Sequence, residues 1–423
     1  MKRFLIAVLL IATYWSGPSR LVAAAPAWHI DCEFLGGNII VDRLDGDTAH
    51  VRQDLRDTQG WWFYWYFRVR GAEGRKLKFQ FKDRAIGLRG PGVSRDGGRT
   101  WAWLGRRESA TAFTYSFALG ETEVRFSFGM PYQHADLQRF LATWSDHPDL
   151  RTEVFAHTRK GTPVELLRLG RLDEPRFKVW ITCRHHACEM MASYVLEGMI
   201  AEVLAESAAG QWLRRNVGFL IVPMVDKDGV EAGDQGKNRL PRDHGQDYTG
   251  PSVYPEVAAL RRLVREWAPD GPEVTLDLHN PSINHQFVYT HALRHDRDDD
   301  PWNNAHDTPR SRARRFLNVL EQVRSGPLPF LVQDSLDFAA QKAKESAARG
   351  QANVPPGAAR GADSISASTP SAPETRGFRC TFEVPYAVVR EVEVNADTAR
   401  AFGRDLTRAL YVWFESLPSS VSP

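Results

Sequence analysis

Phe177-Lys-Val-Trp-Ile-Thr-Cys-Arg-His-His-Ala-Cys-Glu189 is the stretch whose reading decides the fold. Its first half is rich in apolar and β-branched residues, the composition of a buried strand. Directly after it, Met190 to Ala208 carries Met191, Tyr194, Val195, Met199 and Val203 at helical spacing. A strand that runs straight into a helix, with polar residues at the turn, is where open α/β sheets carry their ligands. His186 and Glu189 are three apart, a spacing that sends both side chains to one side of a helix or strand-to-helix turn. His-x-x-Glu alone is a weak signal, and its strand-to-helix setting is what strengthens it. His185, four residues before Glu189, is the rival ligand. A sharp turn that sends adjacent side chains apart favours His186.

Outward from this stretch the same alternation continues. Val217-Gly-Phe-Leu-Ile-Val-Pro and Glu273-Val-Thr-Leu-Asp-Leu read as further buried strands, and Val257–Trp267, Arg312–Val323 and Asp397–Leu417 as helices. Strand and helix in alternation predict an α/β domain with a largely parallel or mixed sheet flanked by helices. His279 ends the third strand, at the same rim as His186 if the strands are parallel, and Asp277 lies on its side of that strand. Asp277 is placed to orient a ligating imidazole. Glu383 ends the strand-like Phe378-Arg-Cys-Thr-Phe. Two imidazoles and a carboxylate (His186, His279, Glu189) are a common three-ligand set for one zinc ion, with the fourth position open to water. Glu383, kept off the metal, is the kind of group such a site needs to move protons. The constellation predicts a zinc hydrolase acting through a zinc-activated water.

From about Pro26 to Ala142 the chain reads mostly as strands. Asn38-Ile-Ile-Val-Asp, Trp61-Trp-Phe-Tyr-Trp-Tyr-Phe-Arg-Val, Leu77-Lys-Phe-Gln-Phe and Val124-Arg-Phe-Ser-Phe are punctuated by Gly, Asp and Pro turns. That pattern predicts an antiparallel β-sandwich over 26–148, before an α/β domain over 149–423. The aromatic block Trp61 to Phe67 reads as core rather than a carbohydrate-stacking face. Within the second domain, residues 350–376 are rich in Ala, Gly, Ser and Pro and read as a flexible surface insertion.

The remaining signals bound the setting. A chain of 423 residues exceeds one typical core. Its 43% hydrophobic and 25% charged residues are ordinary for a soluble globular protein. The net charge of +2 gives no reason to expect nucleic acid or a membrane surface as partner. Arg310 to Arg315 reads as a solvated helix face, and His295 to Asp300 as a polar loop. Residues 1–25 read as a signal peptide: Lys2 and Arg3, an apolar run from Phe4 to about Trp15, then small residues for cleavage. The apolar run is shorter than the roughly 20 residues a bilayer span needs. Export, secreted or periplasmic, with no stable membrane insertion after cleavage, is the expectation. Cys32, Cys183, Cys188 and Cys380 leave every pairing open.

Taken in order, these segments resemble the zinc carboxypeptidase family, in the branch that includes the cytosolic, tubulin-deglutamylating carboxypeptidases. Arg184-His-His-Ala-Cys-Glu189 is similar to that branch's Arg-x-His-Pro-Gly-Glu metal motif, with Ala187 and Cys188 in place of Pro-Gly. Pro223-Met-Val-Asp-Lys-Asp-Gly-Val230 resembles its Pro-Met-x-Asn-Pro-Asp-Gly-Val signature. Leu276-Asp-Leu-His279 and Thr381-Phe-Glu383 match its last-ligand and catalytic-glutamate segments. Cys32 to Asn38 and Trp61 to Phe67 are similar to the sandwich that precedes its peptidase domain, and Met130 to Gln138 to the link. The resemblance implies a metallocarboxypeptidase cleaving the C-terminal amide bond of peptides or proteins, with Zn2+ on His186, Glu189 and His279. It implies Glu383 as general base and acid, and Arg239 as the group that polarises the scissile carbonyl and binds substrate. One departure matters: Gly245-Gln246 stands where the family has an Asn-Arg pair that grips the terminal carboxylate. Glutamine cannot reproduce a guanidinium's bidentate bonds. Arg242, Arg239 or Lys237 would have to compensate. The alternatives are a cell-wall peptide amidase or a non-catalytic zinc-bearing protein that binds peptide or glycan.

Overall fold

The computed structural model describes residues 28–293, 307–351 and 377–417. The expected signal peptide, the loop His295 to Asp300 and residues 352–376 of the expected insertion lie outside them.

The first part is a pair of packed sheets. One runs in the order β1 (His29–Asp31), β4 (Tyr66–Arg70), β9 (Glu123–Ser127), β6 (Gly92–Ser94) and β7 (Ala102–Trp103). The other runs β2 (Ile40–Asp45), β3 (Thr48–Arg52), β5 (Lys76–Phe81) and β8 (Ala112–Ser116). Phe67 and Phe126 of the first sheet each lie 5.3 Å, centroid to centroid, from Phe79 of the second. The aromatic block is core, as expected: Phe63 to Phe67 are buried and only Trp61, 43% exposed, leads out of it. The predicted sandwich is there, with two departures in detail. The sandwich is not wholly antiparallel, because β3 and β5 pair in parallel. The chain leaves β3, lays down β4 in the opposite sheet and returns in its original direction, which is a crossover rather than a hairpin. The segment up to Ala142 also ends in a helix, α1 (His134–Ala142), started by a capping box of Gln133 and Asp136.

The second part is a seven-stranded mixed sheet, flanked by helices as predicted. Its order is β10 (Leu150–His157), β11 (Pro163–Gly170), β13 (Val217–Val222), β12 (Phe177–Cys183), β14 (Val274–His279), β16 (Phe378–Glu383) and β15 (Tyr289–Thr290). β12 pairs in parallel with β13 and β14, and β14 with β16. The outer pairs are antiparallel. A short hairpin of β17 (Val388–Val389) and β18 (Val392–Glu393) follows.

One sheet face is covered by α2 (Met190–Leu204), α3 (Ala208–Asn216), α6 (Pro309–Val323) and α8 (Ala396–Glu415). The single helix predicted over Met190–Ala208 stops at Leu204, and Ser207 then caps α3 through the Gly210 amide. The opposite face is covered by α5 (Pro255–Trp267), whose apolar cluster takes Val164, Leu166, Trp180, Leu220 and Val222 from β11, β12 and β13. Two helices lie elsewhere, α4 (Lys227–Ala232) and α7 (Val332–Gln351), which takes in the first two residues of the expected insertion.

Side chains alternate along β14 (Val-Thr-Leu-Asp-Leu-His) and β16 (Phe-Arg-Cys-Thr-Phe-Glu). The apolar members join the α2–α8 core. The polar members (Thr275, Asp277, His279, Arg379, Thr381, Glu383) share the other face, beyond the apolar cluster under α5. No described helix is long and apolar enough to cross a membrane.

Helices α2 and α8 touch backbone to backbone. A Cβ added to Gly403 would lie 1.9 Å from the Val195 carbonyl oxygen, and one on Gly198 would lie 2.0 Å from that of Arg400. Gly403→Ala should therefore destabilise the protein by about 1–3 kcal/mol in urea unfolding. Helix propensity alone predicts the opposite sign, about 1 kcal/mol of gain.

Candidate metal centre

Three parallel strands deliver the site. His279 and Glu383 are register partners on β14 and β16, so their side chains leave the same sheet face side by side. β12 ends one position earlier, Cys183 opposite Leu278, and the chain then turns through Arg184. Arg184 adopts a left-handed backbone (φ 58°). Its buried guanidinium donates to the Tyr132 carbonyl at 2.9 Å and the Ser193 hydroxyl at 3.0 Å. That anchor sets the turn from which His186 and Glu189 project.

His186, Glu189 and His279 converge as the sequence predicts. Glu189 lies between the two imidazoles, Oε1 3.1 Å from His186 Nδ1 and Oε2 2.7 Å from His279 Nδ1. The two Nδ1 atoms are 3.2 Å apart, close to the roughly 3.3 Å edge of a tetrahedron with ~2.0 Å metal–nitrogen bonds. All three residues are fully buried. Donor type, spacing and burial fit a zinc ion.

Its surroundings hold these three side chains in place. Asp277 Oδ2 is 2.9 Å from His279 Nε2, which turns Nδ1 toward the cluster. Asp277 Oδ1 accepts from the Thr182 hydroxyl at 2.8 Å and sits 2.9 Å from His185 Nδ1. His185 Nε2 is 2.6 Å from the Tyr248 hydroxyl, so both ring nitrogens of the rival ligand are engaged. A second possible metal-holding set, His185, Asp277 and His279, is thus a support, hydrogen-bonded at His185 and held to His279 by an ion-pair contact.

Electrostatics follow from burial and pairing. Burial pushes the Glu189 pKa up, but Lys237 and the two imidazoles outweigh it and hold the carboxyl well below its ordinary value. Burial likewise opposes the charged form of His279, yet Asp277 and Glu189 raise its pKa well above the usual imidazole value. Lys237 Nζ stands 2.6 Å from Glu189 Oε1. Asp243, facing His186, is lowered to about 2 against its burial. Glu383 is 3% exposed, with Oε1 3.2 Å from His291 Nε2 and Oε2 buried without a partner.

The other site residues predicted from sequence sit near this cluster in different circumstances. Arg239 is gripped by Asp57, Asp226 and Asp234 at 2.8, 2.6 and 2.8 Å. Arg242 is paired with Asp247 at 2.6 Å. Gln246 ends a 3-10 turn, His244–Gln246, beside the cluster. A Cβ on Gly245 would begin 3.1 Å from His186 Nε2, so the turn passes too close for a side chain there without displacement.

The sandwich is part of this construction. The Thr58 hydroxyl donates to the Lys237 carbonyl at 2.9 Å, and Tyr64 N–H to Gln235 Oε1 at 2.7 Å. Trp62 Nε1 donates to Cys188 Sγ at 3.3 Å, and Lys237 Nζ lies 5.5 Å from the Trp62 ring centre. Gly236, in the left-handed region (φ 74°), allows the loop to pass where a Cβ would meet the Ala187 amide at 2.2 Å. Sequence reading named Lys237 only as a possible compensator and gave no role to Asp57, Gln235 or Asp243. Their polar, loop-like settings carry no periodic signal. All four cysteines are free thiols.

The family model for zinc carboxypeptidases matches residues 137–250, which include His186 and Glu189. An uncharacterised protein of Zymomonas mobilis is 24% identical over 281 residues, covering 62% of this chain and 70% of its own. Mouse cytosolic carboxypeptidase 3 is 28% identical over 198 residues, 44% of this chain, but that match spans only 20% of the mouse protein. Among solved structures, a metallo-carboxypeptidase from Burkholderia cenocepacia superposes with a TM-score of 0.69. It is 19% identical and covers 92% of this chain and 99% of its own. A Burkholderia mallei protein described as a putative carboxypeptidase gives 0.70 at the same identity, covering 92% and 97%. At that identity the structures speak for the fold, and the family likeness rests on the matched segment, which holds His186 and Glu189. Residues 137–250 match the zinc carboxypeptidase family, and the chain around them has the fold of metallo-carboxypeptidase structures.

Proposed function

We propose that this chain is a zinc-dependent carboxypeptidase-like hydrolase that cleaves the C-terminal amide bond of peptides or proteins. The observation that carries the reading is the convergence of His186 Nδ1, Glu189 and His279 Nδ1, with Glu383 beside His279 in register. A zinc ion on those three ligands would supply a Lewis acid that polarises the scissile carbonyl and acidifies a water. Glu383 takes the proton from the attacking water and returns it to the departing amine. Its unpartnered Oε2 is the atom available for that transfer. Asp277 keeps the His279 ring in its ligating orientation.

The resemblance gives oxyanion support to Arg239. With that guanidinium bound by three aspartates, we assign the part to Lys237, the cation at the cluster, and to Arg239 the holding of its loop. Trp62 and the Thr58 segment let the sandwich shape one wall of the approach. Export rests on the character of residues 1–25. Gly245-Gln246 favours a second reading, a hydrolase or binder whose ligand has no carboxylate at that place.

Two substitutions test this reading. Glu383→Gln should lower kcat on a mixed peptide pool by about 10²–10⁴-fold, with zinc content unchanged by elemental analysis. Asp277→Asn should weaken zinc about 10–100-fold in a chelator competition. Full peptide trimming by Glu383→Gln would remove the assigned role.

A further inference from the structure

The polar face of β14 and β16 holds a charge that the metal cluster does not use. Arg379 leaves β16 on the side of Thr381 and Glu383, opposite Thr275 in register. Its Nε is buried without a hydrogen-bond partner, while the residue as a whole is only half-buried. Among the described residues no carboxylate pairs with it at ion-pair distance. Burial pushes its pKa below the usual guanidinium value, and the Asp277 carboxylate, with the neutral Tyr248 phenol nearby, only partly offsets this. Asp277 is already committed to Thr182, His185 and His279.

The other cations around the site have partners. Arg239 holds three aspartates, Arg242 holds Asp247, and Lys237, which faces Glu189, is the cation assigned to the oxyanion. Position 246, where the resemblance places a carboxylate-gripping guanidinium, is glutamine. A buried cation without a counter-ion is costly to keep. A planar guanidinium that is partly exposed and lacks a counter-ion is suited to take a carboxylate in two parallel hydrogen bonds.

We propose that Arg379 binds a carboxylate of the residue that substrate hydrolysis releases, supplying from the polar face of β14 and β16 the anion grip that position 246 lacks. The leaving residue then lies along the β14–β16 face, its amide end at His279 and Glu383. Four residues at a rise of about 3.3 Å separate Glu383 from Arg379, roughly 13 Å along the strand. A long side chain leaning along the strand spans part of that gap, and the remainder accommodates one amino-acid residue. Either an α-carboxylate or a side-chain carboxylate supplies the chemistry. The word "substrate" rests on the hydrolase reading, but anion binding does not.

Four probes separate the possibilities by isothermal titration: N-acetylglutamate, N-acetylglutamine (α-carboxylate only), the α-amide of N-acetylglutamate (side-chain carboxylate only) and N-acetylglutamine amide (neither). Each is titrated into zinc-loaded and metal-free protein, as wild type, Arg379→Gln and Arg379→Lys. The wild type should bind at least one single-carboxylate probe about 10–100-fold more tightly than the diamide. Which one it prefers tells the two sources apart. Arg379→Gln should erase that preference and Arg379→Lys should restore part of it, with thermal midpoint and zinc content unchanged in both. The preference should persist without metal, since a carboxylate held by the ion would be lost with it. Equal binding of all four probes, no binding of any, a preference that vanishes with the metal, or an unaltered Arg379→Gln would overturn the proposal. If Arg379→Gln fails to fold, Arg379→Lys decides by weakening the preferred probe or leaving it unchanged. Peptide cleavage is scored separately, so carboxylate binding without hydrolysis sinks the hydrolase reading and leaves this one standing.

Discussion

The parallel pairing of β12, β14 and β16 fixes where every reactive group can be. His279 and Glu383 are side by side because their strands are in register, and His186 and Glu189 meet them because β12 stops at the same rim. A slip of one residue in β16 would turn Glu383 into the α2–α8 core and bring Phe382 to the polar face. The buried Arg184 anchor and the backbone contact of α2 with α8 both hold that arrangement still. The apolar alternation of β14 and β16 against the helices stabilises the sheet, and the same alternation leaves a polar face for chemistry.

Charge compensation is the second constraint. Glu189, Asp226, Asp243 and Asp277 are all buried, and each carboxylate is opposed by a cation or an imidazole. Such groups are tolerable only with partners in place. Lys237 and Arg239 provide two of those partners, and Asp57, Thr58 and Gln59 of the sandwich segment provide bonds that hold their loop. The sandwich thus matters to the site through hydrogen bonds to the loop of residues 235–239 and, from Trp62, to Cys188 in the His186–Glu189 turn. Removing it would strand buried charge beside His186, Glu189 and His279.

The parts of this design that repeat along the chain were legible in the sequence. Strand-to-helix periodicity located β12 and α2, and the ends of β14 and β16 named His279 and Glu383. The aromatic block showed its core role by composition. What stayed hidden depends on contacts distant in sequence or on loop geometry. The parallel β3–β5 pair needs knowledge that β4 has gone to the other sheet. The hairpin β10–β11 has one solvated strand, since residues 150 to 154 are largely exposed, and so lacks an apolar run. The helix α7 was not anticipated from the sequence. The cage around Arg239 joins residue 57 to residues 226 and 234, a juxtaposition that no local pattern announces.

The central claim is that the metal lies on His186, Glu189 and His279, with His185 and Asp277 as support. Anomalous diffraction at the zinc edge, on crystals of zinc-loaded protein, tests it directly. The account predicts one strong peak about 2.0–2.2 Å from His186 Nδ1, His279 Nδ1 and a Glu189 oxygen, with Lys237 withdrawn from Glu189. A peak between His185 and Asp277, ligation through His279 Nε2, or no peak with Lys237 still on Glu189 would contradict it.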